Sequence, residues 1–256
     1  QQQAGNFQNQ IFQMIEGEKL GSFWGYTFAG VWQEDDVHAP FVDVNGQTNG
    51  KTNGEVYKVK PGNSKYVDVN KDGVYNDADQ GIIGCGQPTF NWGWNNTFNY
   101  KNFDFSFFVV GFHGFDIYNA THQMGYNLIK SQQMAGVTPM RELLNRWTPT
   151  NTNTDIPGFV KGGTENKDFF STRFVENGSF ITMKSITLGY TLPEATCRSL
   201  GINNLRVYAS VQNPFHITKY SGLDPEATMG SPLVQGVDWG AYPNSRNYLI
   251  GLNFSF

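Results

Sequence analysis

The sequence predicts an all-β fold: about six strands forming part of a large antiparallel transmembrane β-barrel with long extracellular loops. Three observations lead there. Aromatics make up 15% of the 256 residues and charged residues only 16%, with 29 glycines. Stretches of about ten residues alternate apolar and polar side chains, the period of a strand with one dry and one wet face. The connections between them alternate short and long, as in membrane barrels with tight turns on one side and long loops outside.

The stretches are taken in chain order. Residues 20–32 alternate weakly, with Trp24, Tyr26, Phe28 and Trp32 on one face. Residues 89–100 put Phe90, Trp92, Trp94, Asn96, Phe98 and Tyr100 on one face and small polar residues on the other. Lys101-Asn102 then makes a two-residue hairpin turn. The next stretch starts cleanly at Phe103, Phe105 and Phe107 and blurs at Phe108 and Val110. Residues 179–192 alternate from Ile186 onward. The link Pro193 to Asn204 reads as one helical turn, from Pro193-Glu194 to Leu200-Gly201. Leu205, Val207, Ala209 and Val211 share the next face; Tyr248, Ile250, Leu252, Phe254 and Phe256 share the last.

The remaining connections, about 33–87, 116–178 and 214–246, are long for a compact domain. Followed through them, the six stretches rise and fall in turn, each near the ~9–11 residues that cross a bilayer at a tilt. Barrels begin at about eight strands, so the chain is expected to be part of a larger one. Residues 1–16, with Phe7, Ile11 and Phe12, are expected to be the tail of a preceding strand. The alternative is a secreted, calcium-stabilised β-sandwich that binds glycans, its aromatic faces packed together inside.

Composition excludes several classes. A disordered chain lacks aromatics. A helical bundle is rich in Ala, Glu, Lys and Leu. The net charge of −4 comes without a Lys/Arg cluster, which argues against nucleic acid as a partner. The mean hydropathy is −0.44. With no run of ~18 apolar residues, a membrane helix is excluded but a membrane barrel is not. Cys85 and Cys197 stand in no metal or redox spacing: they are two unrelated small residues or a disulfide. The chain begins Gln-Gln-Gln with no visible targeting segment, so either one was removed or the gene product starts elsewhere.

One motif carries explicit chemistry. Asp68, Asn70, Asp72, Val74 through its carbonyl, Asn76 and Asp79 occupy positions 1, 3, 5, 7, 9 and 12 of a calcium loop, with Gly73 at the sharp turn. Calcium takes 6–8 oxygen ligands, and this spacing wraps them around one point. Asp79 stands where an EF-hand has Glu, and no clear helix precedes the loop. The expected cofactor is therefore a structural calcium ion in an insertion at about 66–84, within the long loop 33–87. His38, His113, His122 and His216 have no zinc spacing. No nucleophile elbow, phosphate loop or Cys-x-x-Cys is present, so no enzyme is expected. Glu34-Asp35-Asp36 reads as a solvated turn. Residues 122–147 read as helical inside a loop, interrupted at Gly136 and Pro139. Trp147, Trp239 and Tyr242 are candidate exposed rings for stacking on sugars.

Four segments carry a family resemblance: Tyr66 to Asp79 continuing to Ile83-Gly84, Phe174 to Pro193, Leu205 to Phe215 with Tyr220 to Glu226, and the terminal strand to Phe256. Gly17 to Tyr26 is a fifth, looser one. Running in order across nearly the whole chain, they resemble the C-terminal barrel portion of a SusC/RagA-type TonB-linked outer-membrane protein of the Bacteroidetes. That resemblance implies a 22-stranded barrel with an N-terminal plug, which lies outside this chain. It also implies import of oligosaccharides or peptides, energised by the TonB complex, and a SusD-like lipoprotein partner at the outer mouth. The cell outer membrane and its lipid are the implied surroundings. Phe256 resembles the aromatic end that barrel-assembly machinery recognises. No substrate residue is carried over.

Overall fold

Strands form where the alternation is cleanest. The computed structural model describes residues 11–12, 15–126, 139–159, 169–228 and 235–255. Its first part runs β1 (Ser22–Tyr26), β2 (Phe28–Val31), α1 (Glu34–His38), β3 (Pro40–Val42), β4 (Thr48–Thr52), α2 (Asn53–Tyr57), β5 (Ser64–Tyr66) and β6 (Gln80–Cys85). Next come β7 (Phe90–Tyr100), β8 (Phe103–His113), β9 (Asp116–Asn119) and α3 (Ala120–Tyr126). The remainder is β10 (Val175–Asn177), β11 (Phe180–Thr191), α4 (Glu194–Ser199), β12 (Asn204–Thr218), β13 (Val237–Asp238) and β14 (Asn247–Ser255).

Five long strands make one antiparallel sheet in the order β14-β12-β11-β8-β7. The β7–β8 turn holds Lys101 at φ 53°, in the left-handed region that a tight hairpin needs. The link from β11 to β12 contains α4 and turns at Gly201, φ 71°. Register makes the two faces continuous across all five strands. Phe98 lies opposite Phe105, which lies opposite Leu188, then Ala209, then Ile250. Tyr100, Phe103, Tyr190, Val207 and Leu252 form the next row. Rings meet along this face: Trp94 and Phe107 are edge to face at 5.2 Å, and Phe103 and Tyr190 are tilted with centroids 4.7 Å apart. Among the described residues no second layer covers it. Phe98 is 54% exposed and Ile250 85%. The sandwich alternative required these rings to be buried, and they are not.

The opposite face is polar at one end. Asp104 of β8 and Arg206 of β12 meet across β11, and Thr187 bonds Ser210 at 2.8 Å. At its other end Phe112 and Phe180 are covered by Phe115, Ile117 and Tyr220. A second core gathers Ile11, Phe23, Tyr118, Ala120 and Phe174; a third gathers Trp32, Val37 and Val59.

The closed transmembrane barrel and the all-β class are both overturned. The described residues form five separate sheets, the largest open with β7 and β14 as its edges, and four short α-helices stand among them. This is a mixed fold of small open sheets. Alternation fixes which face of a strand is dry, and that holds equally for open and closed sheets. Closure is set by partners at the edges, which alternation does not encode.

Residues 20–32 are not a sixth strand of the long sheet. They split into β1, paired with β6, and β2, paired with β5. Gly21 and Gly30 have φ of 76° and 109°, so the chain turns where a straight strand was expected. Gly25 lets the backbone of Phe170 come close: a Cβ there would lie 2.4 Å from its carbonyl oxygen. Within loop 33–87, β3 pairs with β4, while β5 and β6 pair back onto β2 and β1. Of the expected tail, Ile11 is fully buried and Phe12 bridges Phe23. Phe7, Phe256 and residues 127–138 of the expected helix lie outside the described residues. Further along, the chain makes a 3-10 turn at Arg141–Asn145.

Candidate metal centre

The chain leaves β5 at Tyr66 and returns at β6 through a loop held by its own polar side chains. Lys71 and Gly73 both adopt left-handed backbone, φ 54° and 83°, which folds the loop back on itself. Gly73 is required twice over, because a Cβ there would lie 2.2 Å from Val56 Cγ1. Its N–H donates to Asp68 Oδ2 at 2.8 Å, joining positions 1 and 6 of the motif. Val74 N–H donates to Asp72 Oδ1 at 2.8 Å. The amides of Asn70 and Asn76 both donate to Asp72 Oδ2, at 2.9 and 3.1 Å, and that of Asn76 also reaches the Val74 carbonyl at 3.2 Å. These donors hold the Asp72 carboxyl below the usual carboxylate range, the Val74 N–H first and the Asn70 amide second.

Four of the six expected ligands, Asn70, Asp72, Val74 and Asn76, are therefore gathered within hydrogen-bond reach of one another. Asp68 is tied to them through Gly73. Asp79 is buried and clasps the loop ends, its oxygens accepting from Val69 N–H at 2.8 Å and Asn76 N–H at 3.0 Å. Among the described residues no three Asp, Glu, His or Cys side chains crowd one point.

One atom speaks for a cation. Asp68 Oδ1 is buried and has no hydrogen-bond partner. A buried carboxylate oxygen left unpaired is costly, and a cation beside it removes the cost. The two Asn amides place their N–H donors, the positive ends of neutral dipoles, on Asp72 Oδ2. A half-turn of either amide presents oxygen instead. On this donor set the loop fits a hard, oxygen-seeking ion such as calcium.

Sequence reasoning missed Tyr57. Its hydroxyl donates to Asp68 Oδ2 at 2.8 Å from the end of α2, eleven positions upstream. Burial and the Asp68 carboxylate keep that hydroxyl protonated far above its ordinary range. The neighbouring Tyr75 is pushed up to about 12, mainly by burial. The signal for α2 was legible in Thr52-x-x-Glu55, a capping box with Thr52 accepting from Glu55 N–H. Nothing in the sequence pointed its last residue at the motif.

The weaker candidates scatter. His122 Nδ1 lies 3.6 Å from Glu176, and His38 pairs with Glu34 on an exposed helix. Trp147 is an anchor, its ring lying on Gly62 and its Nε1 donating to Gln33 Oε1 at 2.9 Å. Trp239 packs on the second core, and Tyr242 alone of the three rings is well exposed. Cys85 and Cys197 are both free thiols.

No protein-family model matches the chain. Individual proteins do. It is 34% identical over 259 residues to TonB-dependent receptor P3 of Formosa agariphila, a match that takes in 98% of this chain and 24% of the relative. The chain is a homologue of the TonB-dependent receptors. TonB-dependent receptor SusC of Bacteroides thetaiotaomicron is 32% identical over 77% of the chain and 18% of its own length. Among solved structures, the RagAB peptide transporter superposes with a TM-score of 0.66 at 22% identity, over 98% of this chain and 25% of that one. At that identity the likeness concerns fold. This receptor homologue spans about a quarter of the length of the relatives it matches. The homology is to transport proteins, not enzymes, and it puts the chain in a Gram-negative outer-membrane context. The resemblance to TonB-linked receptors therefore stands, while the description of this chain as barrel does not.

If an ion is held here, Asp72→Ala removes the acceptor on which both Asn amides converge. The expected outcome is faster proteolysis within residues 66–84 in calcium and no further change when chelator is added. The parent should be protected by calcium and exposed by chelator. Equal cleavage of the parent in both conditions would remove the ion from the account.

Proposed function

We propose that the chain is part of an outer-membrane importer of a Bacteroidetes-like bacterium that takes up oligosaccharides or peptides with a SusD-like lipoprotein and is energised through the TonB complex. Similarity to TonB-dependent receptors along nearly the entire chain carries this reading. Disrupting the gene for the full receptor should abolish growth on one class of oligosaccharide or peptide, and loss of TonB should reproduce the defect. Uptake that persists without TonB would overturn the proposal.

Calcium belongs to the same reading as a staple. Asp68, Asn70, Asp72, the Val74 carbonyl, Asn76 and Asp79 would hold it, and the ion would offset the entropy of ordering loop 66–84. Its role is structural.

A further inference from the structure

Asp68 has only one of its two carboxylate oxygens left to give. Oδ2 accepts twice, from the Tyr57 hydroxyl and from Gly73 N–H, each at 2.8 Å. A carboxylate oxygen has about two lone-pair directions, so Oδ2 is filled. Oδ1 is buried and has no partner. The two donors therefore decide which oxygen remains for a cation.

These donors differ in what holds them. Gly73 N–H belongs to the candidate calcium loop and moves with it. Tyr57 stands outside the loop, as the last residue of α2. Thr52 and Glu55 cap the start of that helix reciprocally, and Lys58 ends it in left-handed backbone, φ 55°. The centre of the Tyr57 ring lies 5.4 Å from that of Trp32 and 5.8 Å from that of Phe41. On the loop side it stacks on Tyr75 at 5.2 Å. Helix and rings fix the hydroxyl in place, so any rotation of the Asp68 carboxylate breaks a bond to a stationary donor.

We propose that Tyr57 is a positioning residue for the ion: its hydroxyl clamps the Asp68 carboxylate so that Oδ1 alone meets the cation. The inference rests on the calcium reading and adds to it a residue from outside the motif. Without the hydroxyl, Oδ2 keeps only Gly73 N–H and the carboxylate is free to turn. Its ordering must then be supplied as the ion arrives. Hydrogen bonds to ligating carboxylates typically carry about ten- to hundredfold in metal affinity.

Tyr57→Phe tests this in the purified full-length receptor, because phenylalanine keeps the ring contacts and loses only the hydroxyl. The protein is first stripped with chelator. The quantity read is the calcium concentration that half-protects residues 66–84 from protease. It should rise at least about tenfold in the variant, with protection at saturating calcium reaching the parent's level. Tyr66→Phe is the control: that ring belongs to the same cluster, but its hydroxyl accepts from Phe169 N–H and not from the loop. It should leave the half-protecting concentration unchanged. An unchanged concentration in Tyr57→Phe overturns the proposal, and so does an equal rise in both variants, which would mean general loosening. Protection that stays below the parent's at saturating calcium also overturns it, since the hydroxyl would then hold the loop itself. If the parent is protected by calcium and Tyr57→Phe matches it, the ion stays and the role of Tyr57 goes. If calcium does not protect the parent at all, the calcium reading fails and takes this proposal with it.

Discussion

Phe180→Ala should lower the unfolding free energy by about 3–5 kcal/mol, the largest effect of any single substitution in the long sheet. Phe180 is 1% exposed at the start of β11. Its ring stacks on Phe112 of β8 at 5.2 Å and meets Phe115 edge to face at 6.1 Å. Ile117 and Tyr220 close the cluster. This is where the five-stranded sheet is joined to β9 and the segment around Tyr220, so the cavity left by alanine opens a seam between two parts of the fold. Tyr220 deepens the cost, because its hydroxyl donates to Asp238 at 2.5 Å and needs the cluster to keep that bond dry. By contrast Phe98→Ala, on the exposed face, should cost under about 1 kcal/mol in the isolated chain. Denaturant unfolding of both variants checks the contrast. Similar losses at the two positions would mean that the apolar face is covered after all.

The contrast also shows what the sequence made legible. Strict alternation in 89–100 and 247–256 marked the strands and assigned each ring to the correct face, because a strand's side-chain period is two whatever it packs against. The hairpin at Lys101-Asn102 and the helical turn after Pro193 were local features with local signals. Phe112 and Phe180 carry no such signal. They look like any other aromatic in the pattern, and only their contact with β9 distinguishes a core ring from an exposed one. Residues 20–32 misled for a related reason. Trp24, Tyr26 and Phe28 alternate, yet Gly21, Gly25 and Gly30 bend the backbone and admit neighbours too closely for a continuous strand. For the candidate calcium loop, spacing alone marked out Asp68 to Asp79. It could not reveal that Asp79 is engaged in clasping the loop, that Asp68 keeps one oxygen unpaired, or that Tyr57 supports it from a separate helix.

Gly189→Val is expected to be nearly as damaging, at about 2–4 kcal/mol, and it tests the polar face. Gly189 lies on β11, the central strand, and is buried. Over it passes a two-pronged ion pair between the flanking strands: Arg206 Nε donates to Asp104 Oδ1 at 2.9 Å and Nη2 to Oδ2 at 2.5 Å. A Cβ at 189 would sit 2.3 Å from Asp104 Oδ1 and 2.5 Å from Arg206 Nη2. No rotamer shift resolves both contacts, because the fork geometry fixes the two side chains against each other. The pair must open, leaving a carboxylate and a guanidinium each about three-quarters buried without its partner. Neither neighbour requires glycine by conformation, and the φ at 189 is an ordinary one, so the requirement is purely for space. A double-mutant cycle separates these terms. In an Asp104→Ala background the carboxylate is gone and the unclamped end of the Arg206 side chain can swing aside, so Gly189→Val should cost less than about 1 kcal/mol, with β-branched valine even favoured in a strand. Additive losses would show that the glycine serves some end other than the passage of the ion pair.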